Sequence, residues 1–160
     1  MRLNQPKSRT ISDYILFLRV FLFAAAVPLL MRLKITRLTA ILEPGSEPRG
    51  VDPEKIRKIC AYTQRSIWQG KPLVRSGCLT LGLTRYYFLR RAGLDLALLF
   101  GMGRVREGEG REGHCWLVRD GEPYLESVDP RPLYVEMWRI SRDSVRRPHA
   151  AQESELRSII

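Results

Sequence analysis

Cysteine is scarce in this chain, acidic charge is in deficit, and no internal repeat organises it. Three cysteines occur in 160 residues, Cys60, Cys78 and Cys115, and none share a C-x-x-C spacing. That excludes a closed disulfide framework and a zinc ribbon, and makes a reducing, cytoplasmic setting the expectation. Twelve glycines and ten prolines follow no period, which excludes collagen-like and low-complexity scaffolds. Acidic residues number 17 against 27 lysines and arginines, a formal charge of +10. The excess favours acidic partners: nucleic acid, an anionic membrane surface or an acidic peptide. The arginines are dispersed, however, with no helix-turn-helix, finger or RNP pattern, so no nucleic acid is expected. What is present is a globular composition, 44% hydrophobic and 28% charged. A chain of this size buries roughly 68–70% of its unfolded surface, enough for an enzyme without metal or disulfide staples.

No uninterrupted hydrophobic run long enough for a clean membrane span occurs either. Tyr14 to Met31 is apolar except for Arg19, with Pro28 near its end. A signal peptide is opposed by Arg19 inside the apolar stretch and Asp13 at its edge. A transmembrane helix is opposed by the central arginine, which costs about 2.5–3.5 kcal/mol on insertion scales. The third reading is a hydrophobic helix kinked or ended by Pro28, followed by a second helix over Leu29 to Leu42. There Leu30, Leu33, Leu38, Ile41 and Leu42 recur at helical spacing, with Arg32, Lys34 and Arg37 between them. Such a segment suits a membrane surface or a partner groove, so residues 11–42 are expected to dock against something. Glu43 to Gly50 is a Pro/Gly/Ser linker closing an N-terminal region of residues 1–50.

Residues 51–140 form the expected core, followed by a polar tail over 141–160 that includes His149. Asp52 is an N-cap with Pro53 at the first helical position, and Ile56, Ile59, Cys60, Thr63 and Ile67 make one stripe of a helix ending near Gly70. A second helix starts around Ser76 to Cys78, with Leu79, Leu83, Tyr86 and Tyr87 inward, Arg90 and Arg91 in its last turn and Gly93 closing it. The period then becomes two over Leu94 to Met102, predicting a strand. Gly103 to Gly113 is a charged, glycine-rich loop. His114–Val118 and Glu122–Val128 flank Asp120-Gly121 as a hairpin. A three-residue bulged turn pairs His114 with Glu126 and Trp116 with Tyr124; a two-residue turn puts Ser127 opposite His114 and sends Glu126 to the other face. The bulged turn is the preferred expectation. The fold class is α+β, a helix carrying Cys78 packed on a small antiparallel sheet.

The run SGCLTLGLTRYYFLRRAGLDLALLFGMG, a Gly-rich loop and GHCWLVRDG together resemble the transglutaminase-like B2 proteins of lasso peptide biosynthesis. The resemblance covers about Val51 to Pro132. It implies a papain-like fold and a cysteine peptidase that removes the leader from a ribosomally made precursor peptide. By the same resemblance Cys78 is the nucleophile and His114 the general base. The third member, usually Asp in the family, falls at Glu126, with Asp129 as competitor. Cys115 stands where the family has a small residue, and strand alternation points it away from His114 as a packed thiol.

The chemistry is coherent with these residue types. A helix N-terminus lowers a thiol pKa, a histidine takes and returns the proton, and a carboxylate orients the histidine. The backbone N–H of Cys78 is the natural first oxyanion donor; Gln69 is a weak candidate for a second, and Gln64 belongs to the surface of the preceding helix. No metal or organic cofactor is needed. The resemblance further implies a separate leader-recognition protein and a macrocyclising ligase resembling asparagine synthetase as partners. A noncatalytic interaction subunit, or a transglutaminase-like acyltransferase outside lasso biosynthesis, are the alternatives.

Overall fold

Asp52 starts the first core helix as its side chain suggests: Oδ1 accepts from the amides of Glu54 (3.0 Å) and Lys55 (3.1 Å). The computed structural model describes residues 10–43, 50–70, 73–74, 77–103 and 112–142. The expected linker over 44–49, the charged loop over 104–111 and the tail from 143 onward, His149 included, lie outside the described residues. Four helices, α1 (Ile11–Leu30), α2 (Ile35–Leu42), α3 (Pro53–Gln69) and α4 (Cys78–Arg91), precede the strands β1 (Ala97–Gly103), β2 (Gly113–Arg119), β3 (Glu122–Tyr124) and β4 (Tyr134–Ile140). The sheet is antiparallel in the order β3-β2-β1-β4. This is the α+β class expected from the sequence.

Helix α4 is central. Leu83, Tyr86 and Leu89 are wholly buried, each stabilising the fold by about 1.5–3 kcal/mol on the usual scale for a buried apolar side chain. They meet Leu98, Cys115, Leu117 and Ile140 on one face of the sheet, and Val20 and Val27 of α1 join the same core. Gly82 lets helix and sheet close up, since a Cβ there would stand 2.5 Å from the Cys115 Sγ. A second, smaller cluster of Ala97, Leu99, Trp116 and Val118, with Tyr134 against it, occupies the opposite face of the sheet.

The double-basic end of α4 does more than oppose the helix dipole. Gly93 at φ +97° closes the helix in a Schellman arrangement, with Leu94 N–H donating to Leu89 O (3.1 Å) and Gly93 N–H to Arg90 O (3.2 Å). Arg91 then donates to the Leu42 and Ile41 carbonyls at 2.8 and 3.0 Å, satisfying the C-terminus of α2. Arg90 pairs with Asp95 at 2.6 Å and Glu43 at 3.2 Å. The C-terminal end of α2 is thereby fixed to the core.

Three details depart from expectation. Pro28 lies inside α1 near its C-terminal end, so one helix runs on to Leu30 before the break and α2 begins only at Ile35. The hairpin turn is the two-residue kind: Arg119 pairs with Glu122, Val118 with Pro123 and Leu117 with Tyr124. Asp120 (φ 51°) and Gly121 (φ 83°) both hold the left-handed conformation that a type I′ turn requires. The preferred register is therefore overturned, and Trp116 faces Leu99 of β1 rather than Tyr124. Finally, β3 stops at Tyr124, and a fourth strand, β4, completes the sheet on the far side of β1.

Candidate active site

The N-terminus of α4 abuts the start of β2. Gly77 precedes the helix in extended conformation and provides no side-chain cap, so the first amides of the helix, Cys78 among them, lack intrahelical acceptors by position. The half-buried Cys78 thiol lies 3.9 Å from the Gly113 carbonyl oxygen, and the buried Cys115 thiol donates to the Cys78 carbonyl at 3.2 Å.

Cys78 is lowered from the ordinary thiol range to about 5. The largest cause is a hydrogen bond from the Cys115 side chain. Burial opposes it, and a hydrogen bond and the charge of His114 add to it. Cys115 moves the opposite way: its bond to Cys78 and its burial push its thiol far up. The opposed directions favour ionisation at Cys78 and a neutral thiol at Cys115, whose S–H is directed at the Cys78 carbonyl. Alternation holds, for Cys115 faces the helices and His114 the other side of β2. Cys115 is the packed thiol expected, buried in the main core against Gly82, and its S–H is satisfied by the Cys78 carbonyl.

His114 Nε2 lies 3.5 Å from Glu126 Oε2, both side chains about one quarter exposed. That leaves Nδ1 as the ring nitrogen available to the thiol. The ring is walled by Tyr134 (centroids 5.0 Å apart) and by Trp116, stacked at 5.9 Å. Gly101 gives the indole its place, since a Cβ would meet that ring at 2.7 Å.

Glu126 reaches His114 by a route the ladder does not provide. Continued past Tyr124, the observed register sets residue 126 opposite Cys115, on the wrong face. Leu125 instead takes φ 64°, a left-handed conformation unusual for a bulky side chain, and this breaks the alternation. Asp129 is engaged elsewhere: it accepts from the Arg131 amide, Nε and Nη2 at 2.9, 2.9 and 2.7 Å, and that guanidinium holds its carboxyl below the usual range. Gln69 accepts from Arg65 at 2.7 Å and Gln64 from Arg85 at 3.4 Å. Among the described residues, no group of three or more His, Cys, Asp and Glu side chains is placed to hold a metal ion.

Sequence reasoning passed over two neighbours of the site, Tyr134 and Arg85. Tyr134 was hidden with β4. Arg85 is set about two turns along α4 from Cys78, and burial lowers its pKa while the charges of Cys60 and Glu126 raise it. A basic residue in mid-helix followed by two tyrosines was the available signal.

A helix-borne, thiolate-stabilised cysteine beside a strand-borne histidine on a small antiparallel sheet defines a papain-like or transglutaminase-like class of protein. The family comparison agrees: the model of the transglutaminase-like superfamily matches residues 18–139, and the chain belongs to that superfamily. The match begins within α1, which packs on α3 and α4. The superfamily includes cysteine peptidases and acyltransferases. No significant match came from the curated proteins or from the solved structures.

Proposed function

We propose that this protein is a cytoplasmic cysteine peptidase that removes the leader from a ribosomally synthesised precursor during lasso peptide maturation. The observation that carries the proposal is the convergence of Cys78, with its thiol lowered to about 5, His114, and Glu126 at 3.5 Å from the imidazole. The resemblance of the Cys78 and His114 segments to the B2 proteins supplies the pathway.

The steps follow from the charges. The Cys78 thiolate adds to the carbonyl carbon at the leader–core junction, and the oxyanion forms near the Cys78 amide at the helix start. The protonated His114 gives its proton to the departing amine, the C–N bond breaks, and a thioester remains on Cys78. Water, deprotonated by His114, adds to that thioester, releasing the leader carboxylate and restoring the thiolate–imidazolium pair. Glu126 keeps the ring oriented. A separate leader-recognition protein presents the precursor, and a ligase resembling asparagine synthetase takes the freed core amine.

The test is mass spectrometry of a lasso precursor incubated with its recognition protein and this chain. Leader cleavage by the wild type, abolished in Cys78→Ala and His114→Ala, is the expected result. An amine-coupled product in place of the acid assigns acyl transfer instead. No turnover by the wild type with an active recognition partner assigns a noncatalytic interaction subunit.

A further inference from the structure

One face of α1 is uncovered. Ile11, Tyr14, Ile15, Leu18, Leu22 and Leu29 are each more than half exposed, and at 3.6 residues per turn all six fall within a sector of about 100° along some 27 Å of helix. Soluble monomers rarely leave a contiguous apolar stripe of this kind open. The opposite face of the same helix is occupied: Val20, Ala24 and Val27 are at most 1% exposed, and the Asp13 carboxylate pairs with Lys58 of α3 at 2.7 Å.

By length and composition α1 is the described helix apolar enough to cross a bilayer. Crossing would strip Val20, Ala24 and Val27 from the core and expose the Asp13–Lys58 pair to hydrocarbon, where an unpaired charge is expensive. An orientation parallel to the membrane needs neither change. The charges also favour it. Residues 11–42 hold one acid, the buried Asp13, against Arg19, Arg32, Lys34 and Arg37, all on exposed positions. A second copy would bring a chain of +10 against another of +10, whereas anionic headgroups would neutralise the four bases.

We propose that α1 docks the protein on an anionic bilayer, lying in the interface plane with the six apolar side chains at the headgroup–acyl boundary and the four bases among the headgroups. The docking rests on α1 and its surroundings and is independent of the peptidase assignment.

Flotation of the full chain in a sucrose gradient tests it, using vesicles of phosphatidylcholine alone or mixed with phosphatidylglycerol. Binding is expected to the mixed vesicles, and to fall roughly tenfold or more on pure phosphatidylcholine, in the Leu18→Glu/Leu22→Glu variant and in the Arg32→Glu/Lys34→Glu/Arg37→Glu variant. The milder Leu18→Ser/Leu22→Ser pair, with unchanged circular dichroism, separates lost docking from lost folding. An in-plane helix also transfers from loaded to empty vesicles, and permanent retention overturns that orientation in favour of a span. No flotation, or flotation indifferent to the variants, overturns the proposal. A concentration-dependent dimer by light scattering that Leu18→Ser/Leu22→Ser disperses, without vesicle binding, reassigns the face to a second copy.

Discussion

His114 and Glu126 meet at 3.5 Å although the strand register between them would keep them on opposite faces of the sheet. The contact depends on Leu125, whose φ of 64° turns the chain after Tyr124. Asparagine tolerates that conformation, and β-branched residues do not. Leu125→Asn is expected to retain cleavage within a few-fold, and Leu125→Ile to lower it roughly tenfold or more. Equal loss in both variants would show that the leucine side chain, rather than its backbone, matters.

The two carboxylates near the site differ in their engagements. Glu126→Gln is expected to lower kcat by up to about 10⁴-fold, the effect of removing a histidine's orienting acid. Asp129→Asn removes a surface pair with Arg131 and is expected to leave cleavage within about twofold. A larger effect from the Asp129 variant would reverse the assignment.

The pH dependence has a definite sign. With Cys78 lowered to about 5, its thiolate is present above that pH and lost below it. Alkylation of Cys78 by iodoacetamide should therefore rise with a midpoint near pH 5 and be flat at neutrality, whereas an ordinary thiol has its midpoint near 8.5. Between those values the folded chain holds fewer protons at this site than the unfolded chain, so the site's contribution to stability is full above the unfolded value and fades as pH falls through about 5. Cys115→Ala removes the largest lowering interaction and should move the alkylation midpoint upward. An unmoved midpoint would assign the depression to His114 and the helix start.

Gly82 is the close-approach point between helix and sheet. A methyl there stands 2.5 Å from Cys115 Sγ and 3.2 Å from Leu98 Cδ1, so Gly82→Ala should destabilise by about 1–3 kcal/mol, a Tm fall of roughly 2–12 °C by calorimetry. Combining it with Cys115→Ala removes the first clash. The double variant should lie closer to wild type than the sum of the single losses.

The helices were legible because their signals are local. Asp52-Pro53 and Gly93 mark ends by capping chemistry, and the stripe from Ile56 to Ile67 marks a buried face by period. The fourth strand was not legible. Tyr134, Trp138 and Ile140 share an even spacing, but a β-bulge between the Phe100–Trp138 and Gly101–Glu136 pairs sets Tyr134 against the Trp116 cluster and Trp138 and Ile140 against the main core on the other face. The hairpin failed for a related reason: Arg119-Asp120-Gly121 admits two turns, and pairing with β1 as well as β3 chooses between them.

The sequence by itself determined that Cys78 opens a helix, that His114 begins a strand and that the two lie in one α+β domain, because caps and periodicity act over a few residues. Only the tertiary structure decided what surrounds them. Cys115 comes to donate to the Cys78 carbonyl, beside the reactive thiol, because Gly82 lets α4 approach β2. Glu126 comes to His114 through a backbone turn that no residue pattern announces. Those contacts are set by packing between segments distant in sequence, and no short-range propensity encodes them.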